Sequence, residues 1–204
     1  MDNPDDIRYV LALVLTMMGP GAALFWFPVH PLARFWRRVG FGWAYVVGFG
    51  LYGAVALLAW RYRAVLLSVE FGTSSWTMGV GAGLMAASVL VRGLRGRQLS
   101  VGTLFGLPEL APHRFPPRLL TEGVYAWVRH PRYVQVILGF SGCAVFSNYL
   151  AAYLATVFLV LAILVVIRLE ERELRERFGA EYEAYRARVP ALIPRIDWRR
   201  LYRR

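Results

Sequence analysis

Two short stretches hold the side chains best suited to chemistry. The first, GVYAWVRHPRY at residues 123–133, brings Gly123, Tyr125, Arg129, His130, Pro131 and Tyr133 into one run. Pro131 suits the first turn of a helix, where its missing N–H is no loss. His130 then stands beside unpaired amides at a helix N-terminus, a place that stabilises an anionic group, and Arg129 and Arg132 add positive potential. The second stretch, RLEERELRERFGAEYEAYRARVPALIPR from Arg168 onward, opens with Glu170 and Glu171 directly after a long apolar run. Carboxylates in that position are costly unless they reach water, pair with arginine or meet a positively charged ligand. Plainer roles remain open for each: arginines as boundary markers, His130 as a helix cap, Tyr125 and Tyr133 as interfacial aromatics. Local pairing is another, since Glu171 and Arg175 are one helical turn apart.

The elements that must position these residues are membrane helices. Hydrophobic residues make up 57% of the 204 positions and charged ones only 18%, which exceeds the apolar share of a water-soluble domain. Five apolar runs stand out at 7–29, 41–60, 76–91, 133–147 and 149–167. Sequences such as VFLVLAILVVI are apolar on every face, which fits helices and not the alternating strands of a barrel. The expectation is an all-α polytopic membrane bundle of about five transmembrane helices in a single unit over residues 1–204. Within it, residues 1–91 form three N-terminal spans, 92–132 a cytosolic cofactor-side loop, 133–168 the hairpin of spans four and five, and 169–204 a cytosolic amphipathic helical tail.

Every one of the 24 basic residues is arginine, giving a formal net charge of +11. Because these arginines lie between apolar spans and form no basic domain with stacking aromatics, the charge indicates topology and not nucleic acid. An external N-terminus leaves only Arg8, Arg61 and Arg63 outside and puts the other 21 inside, so the positive-inside rule places the C-terminus in the cytoplasm. The acidic start MDNPDD lacks the basic region of a cleaved signal peptide. A single cysteine, Cys143, permits no intramolecular disulfide, and nothing resembles a metal-ligand framework. Gly19-Pro20-Gly21 should bend or interrupt the first helix. Gly79 and Gly83 have small-xxx-small spacing and should form a packing face, either within one chain or between protomers.

Ser147-Asn148-Tyr149 is so short a connection that the fourth and fifth spans must be antiparallel, which brings the two charged stretches to the same end of the hairpin. One side then offers amides, histidine and arginine to an anion, and the other offers carboxylates to hydroxyls or a cation. A zwitterionic ligand carrying a sugar matches both.

GVYAWVRHPRY resembles the G-x-Y-x-x-x-RHP-x-Y signature, and LEERELRERFGAEYEAYRARVPALIP resembles the EE...FG-x-x-Y-x-x-Y...P signature, of the isoprenylcysteine carboxyl methyltransferase and phospholipid N-methyltransferase superfamily. The resemblance covers about the last 85 residues. It implies an integral membrane enzyme that uses S-adenosyl-L-methionine, bound between the hairpin and the tail, and methylates a lipophilic or small-molecule acceptor carrying a thiol, carboxylate or amine. It further implies that Gly123, Tyr125, Arg129, His130, Pro131, Tyr133, Glu170 and Glu171 line the cofactor pocket. Glu171 and Arg168 would be the catalytic pair, with Arg168 orienting the acceptor at the membrane entrance. The amides near Arg129 and His130 are expected to hold the methionyl carboxylate. Val124 and Gln135 depart from the family pattern, which favours proline at the former and a small residue at the latter. A membrane sterol-type reductase and a non-enzymatic membrane scaffold or carrier are the competing readings, and binding of S-adenosylmethionine against NADPH separates the three.

Overall fold

Uncharged runs of leucine, valine and alanine leave a backbone no partner except itself, and they fold here as helices. The computed structural model describes residues 4–29, 33–40, 42–95 and 119–194. Its elements in order are α1 (Pro4–Val29), α2 (Ala33–Val39), α3 (Gly42–Arg61), α4 (Arg63–Leu66), α5 (Ser75–Arg95), a 3-10 turn (Gly123–Ala126), α6 (Pro131–Ser147), α7 (Leu150–Phe178) and α8 (Ala180–Arg188). The architecture is an all-α polytopic bundle. Segments of α1 (Asp5–Leu24), α3, α5 and α7 are each long and apolar enough to cross a membrane. α6 is shorter, with 17 residues. Most of the connection expected as a cytosolic cofactor-side loop, residues 96–118, lies outside the described residues, as does 195–204 of the tail.

α7 has 29 residues and so measures about 43 Å at ~1.5 Å per residue, more than the ~30 Å of a hydrocarbon core. Its excess length carries Glu170, Glu171 and the following turns beyond the apolar part. Ion pairs one turn apart, Arg172 with Glu176 and Glu173 with Arg177, continue that extension. Gly179 ends it in the left-handed region at φ +51°.

Asn148 makes the tight corner between α6 and α7, also left-handed at φ 59°. Its side chain donates to Gly72 O at 3.0 Å and accepts from the Tyr153 hydroxyl at 2.9 Å. Beside it Arg8, only 1% exposed, joins three parts of the chain. Its guanidinium donates to Ser147 O (3.1 Å), Gly72 O (2.8 Å), Asp5 (2.9 Å) and the Thr73 hydroxyl, and pairs with Glu70 at 2.7 Å. The start of α1, the α4–α5 connection and the α6–α7 corner therefore share one end of the bundle. Sequence alone marked Arg8 only as one of a few external arginines.

Small residues set how the helices meet. α1 runs unbroken through Gly19-Pro20-Gly21, so of the bend or interruption expected there the interruption does not occur. The glycines instead admit neighbours on two sides: a Cβ on Gly19 would lie 3.1 Å from Ala155 O of α7, and one on Gly21 would lie 2.7 Å from the Tyr52 ring of α3. α5 and α6 cross at Gly81 and Gly142, where an added Cβ on Gly81 would fall 2.6 Å from Phe146 N and one on Gly142 would fall 2.8 Å from Gly81 O. Gly79 and Gly83, the expected packing pair, have nothing within 4 Å of a Cβ. On an alternating GVGAG the intervening glycine faces α6, because residues two apart point to well-separated sides of a helix. Gly81→Ala is therefore expected to lower stability by about 1–3 kcal/mol through overpacking against backbone. Gly79→Ala and Gly83→Ala should leave the thermal midpoint in detergent unchanged or slightly raised. Equal shifts for all three would refute this crossing.

Candidate functional site

At the opposite end from Arg8 the chain enters α6 through a turn that depends on Gly123, whose φ of +61° suits a residue without a side chain. The 3-10 turn after it buries Tyr125. His130 is the N-cap residue and Pro131 follows in the first turn, as the sequence implied. The amides expected to be open there are occupied. Arg129 N donates to Pro190 O at 2.9 Å, and His130 N donates to Ala191 O at 3.0 Å. A carboxylate ligand is thus not held by those two amides, because the segment after α8 has already satisfied them.

The side chains do converge as the hairpin argument requires. His130 is buried with its ring between two consecutive carboxylates of α7: Nε2 is 3.3 Å from Glu171 Oε1, and Nδ1 is 3.6 Å from Glu170 Oε2. Neighbours on a helix point about 100° apart, so Glu170 and Glu171 can flank one imidazole. The Tyr133 hydroxyl, one turn along α6, donates to Glu170 Oε1. Arg129 Nε donates to Glu171 Oε1 at 3.1 Å, while its Nη1 donates to Arg186 O at 3.2 Å and to Val189 O. Arg186 completes the set at 3.6 Å from Glu171 Oε2. Glu171, only 8% exposed, is the point at which α6, α7 and α8 are joined.

This arrangement replaces the local pairing of Glu171 with Arg175, for Arg175 instead pairs with Glu183 at 2.9 Å. The aromatic spacing of the second stretch packs α8 back onto α7: Tyr182, Tyr185 and Val189 are buried together against Leu119, Leu174 and Phe178. The Tyr185 hydroxyl donates to Tyr125 O at 2.7 Å, fastening α8 to the 3-10 turn. Burial pushes Tyr125, Tyr182 and Tyr185 each up to about 12, so all three keep their hydroxyl protons through the physiological range. Arg168 stands apart, exposed on α7 one turn before Glu171. Arg186 and the carbonyls of Val189, Pro190 and Ala191 were not singled out by sequence. Arg186 is one arginine among many, and backbone pairing between distant loops has no residue-type signal.

Comparison with known proteins gives the arrangement a context. The chain is 40% identical over 104 residues to methanethiol S-methyltransferase 1 of Bradyrhizobium diazoefficiens, covering 48% of this chain and 34% of that protein. It is 31% identical over 156 residues to methanethiol S-methyltransferase 2 of the same organism, covering 71% of this chain and 56% of that one. With the protein-S-isoprenylcysteine O-methyltransferase of Schizosaccharomyces pombe it shares 38% identity over 79 residues, 38% of this chain and 34% of that protein. The chain thus spans about a third to just over half of the length of these relatives. No solved structure matches it. Residues 76–181 match the phospholipid methyltransferase family, a stretch that runs from the α5–α6 crossing through His130 to Glu171 and the start of α8. With more than half of the chain inside that match, and the two signature stretches meeting around one buried imidazole, the protein belongs to the phospholipid methyltransferase family.

Proposed function

We propose that the chain transfers a methyl group from S-adenosyl-L-methionine to a small thiol or lipophilic acceptor at a membrane. The observation that carries this reading is the buried cluster in which Glu170 and Glu171 meet His130, Arg129 and Tyr133. The residue types fit the cofactor: carboxylates accept from ribose hydroxyls, and buried tyrosine rings pack against an adenosyl group. When bound, the cofactor supplies an electrophilic methyl on a sulfonium, so the protein's part is to bind, align and exclude water. Glu171 is occupied by Arg129, His130 and Arg186, which suits it to fixing the imidazole and the pocket wall more than to abstracting a proton. Glu170, held by Tyr133 and only half buried, is the carboxylate nearer to solvent. Arg168, exposed where α7 leaves its apolar part, meets the acceptor's polar end in this reading.

The acceptor class follows the relatives, two of which are named for methanethiol and one for a prenylated cysteine. A thiol needs little help from the protein, because its thiolate is a strong nucleophile once the proton has gone to solvent. We also propose that α6 is a fifth crossing, with the N-terminus outside and the C-terminus in the cytoplasm. At 17 residues α6 is about 25 Å long, within reach of a locally thinned bilayer. Its tight corner with α7 and the siting of Arg8 and His130 at opposite ends both favour an odd number of passes.

The test is transfer of radiolabelled methyl from S-adenosylmethionine to methanethiol, to a prenyl thiol and to extracted membrane lipid. Label is expected in one of the thiols. Cofactor binding with every acceptor unlabelled would overturn the acceptor class, and binding of NADPH in place of S-adenosylmethionine would overturn the reaction.

A further inference from the structure

With the amides of Arg129 and His130 taken by Pro190 and Ala191, the amino-acid end of the methyl donor needs another site. The antiparallel crossing of α5 and α6 supplies complementary groups close by. Ser88 of α5 donates to Gln135 O of α6 at 2.8 Å, which fixes the register of the pair between the Gly81–Gly142 contact and the His130 end. Two turns beyond Ser88, α5 ends at Arg95, which lies within charge–charge range of Arg132 and of Tyr125. Side chains on helices lean toward the N-terminus of their own helix. Ser88 and Arg95, seven residues apart, share a face of α5, and in this antiparallel pair the lean of Arg95 back along α5 and of Gln135 toward the start of α6 shortens the axial gap between them. Both carry a buried polar atom with no hydrogen-bond partner among the described residues: Arg95 Nε and Gln135 Oε1. One is a cationic donor and the other a neutral acceptor. Buried atoms of this kind are costly unless something pairs with them, and a ligand that satisfies both must present an anionic acceptor and an N–H donor a few bonds apart. An α-amino acid does so.

We propose that Arg95 and Gln135 form the subsite for the methionine end of the methyl donor, Arg95 taking its carboxylate and Gln135 its ammonium group. This assignment rests on the methyl-donor reading above and extends it. Tyr125 connects the two halves of the site, since its ring is in electrostatic range of Arg95 and Arg132 on one side and of Glu170 on the other. A single molecule can then run from the Glu170 carboxylate past Tyr125 to Arg95. Arg132 adds positive potential to the same end.

The experiment compares two ligands by calorimetry: S-adenosylhomocysteine, and 5′-methylthioadenosine, which lacks the amino-acid end. Wild-type protein should bind the first more tightly. Arg95→Met is expected to weaken S-adenosylhomocysteine on the order of 30-fold, the worth of a charge-assisted hydrogen bond, and to leave methylthioadenosine unchanged. Gln135→Leu, close in volume, should weaken the first by about fivefold and spare the second. It decides the matter by itself should Arg95→Met fail to fold. Equal losses for both ligands, or no loss for either, would overturn the subsite, as would a wild type that does not distinguish them. If neither ligand binds wild-type protein, the methyl-donor reading falls as well.

Discussion

Arg8→Met should lower stability by about 3 kcal/mol, the largest effect expected of any substitution outside the candidate pocket. Methionine has enough length to fill the space, so the loss is one of bonds and not of packing. Asp5 and Glu70 are partly exposed and can return to water. The carbonyls of Gly72 and Ser147 are left without their cationic donor, and the α6–α7 corner loses its tie to α1. The reading is a fall in the thermal midpoint in detergent, with S-adenosylhomocysteine affinity retained below that midpoint because the candidate pocket lies at the other end. An unchanged midpoint would mean that the buried guanidinium contributes nothing net to the bundle.

At that other end, Glu171→Ala and Glu171→Gln separate folding from binding. Alanine leaves Arg129 and His130 buried without their shared carboxylate, and breaking a buried pair in this way costs about 3–5 kcal/mol. The side chain is 11% exposed, so solvent screening gives little relief. Glutamine keeps the shape and an acceptor oxygen but loses the charge that orients Arg129 and the imidazole, so it should fold while binding S-adenosylhomocysteine at least about tenfold more weakly. Wild-type affinity in folded Glu171→Gln would remove Glu171 from the candidate pocket. Glu170→Gln is the companion measurement: Tyr133 can still donate to the amide oxygen, so stability should change little and any loss should appear in ligand affinity.

Much of this arrangement was legible because it follows from chain connectivity. A three-residue corner at Ser147-Asn148-Tyr149 cannot separate α6 from an antiparallel α7, and that alone brings His130 to Glu170 and Glu171. The apolar runs likewise located the long helices to within a few residues, because a backbone without water has few alternatives, except that α7 continues to Phe178, well past the run that ends at 167. What escaped the sequence was information about facing. GVGAG contains several ways to choose a packing glycine, and only the direction of α6 selects Gly81. Pro20 would be expected to break a helix in water, yet α1 continues past it, with α7 and α3 packed on its two sides. Arg8 looked like a topology marker because arginine at a membrane end is common, and its burial depends on two loops far away in sequence. Arg129 was read as positive potential for an anion, and its guanidinium also reaches Glu171 and the carbonyls of Arg186 and Val189. That use could not be foreseen, since main-chain acceptors have no residue signature.

The pairing of residues 129 and 130 with 190 and 191 also has a consequence for biosynthesis. These partners are separated by some sixty positions, so all the hydrophobic helices are made before the polypeptide that closes the cluster leaves the ribosome. A chain truncated just before Pro190 would leave the Arg129 and His130 amides without those two acceptors, and its affinity for nucleoside ligands should fall below that of the longer chain.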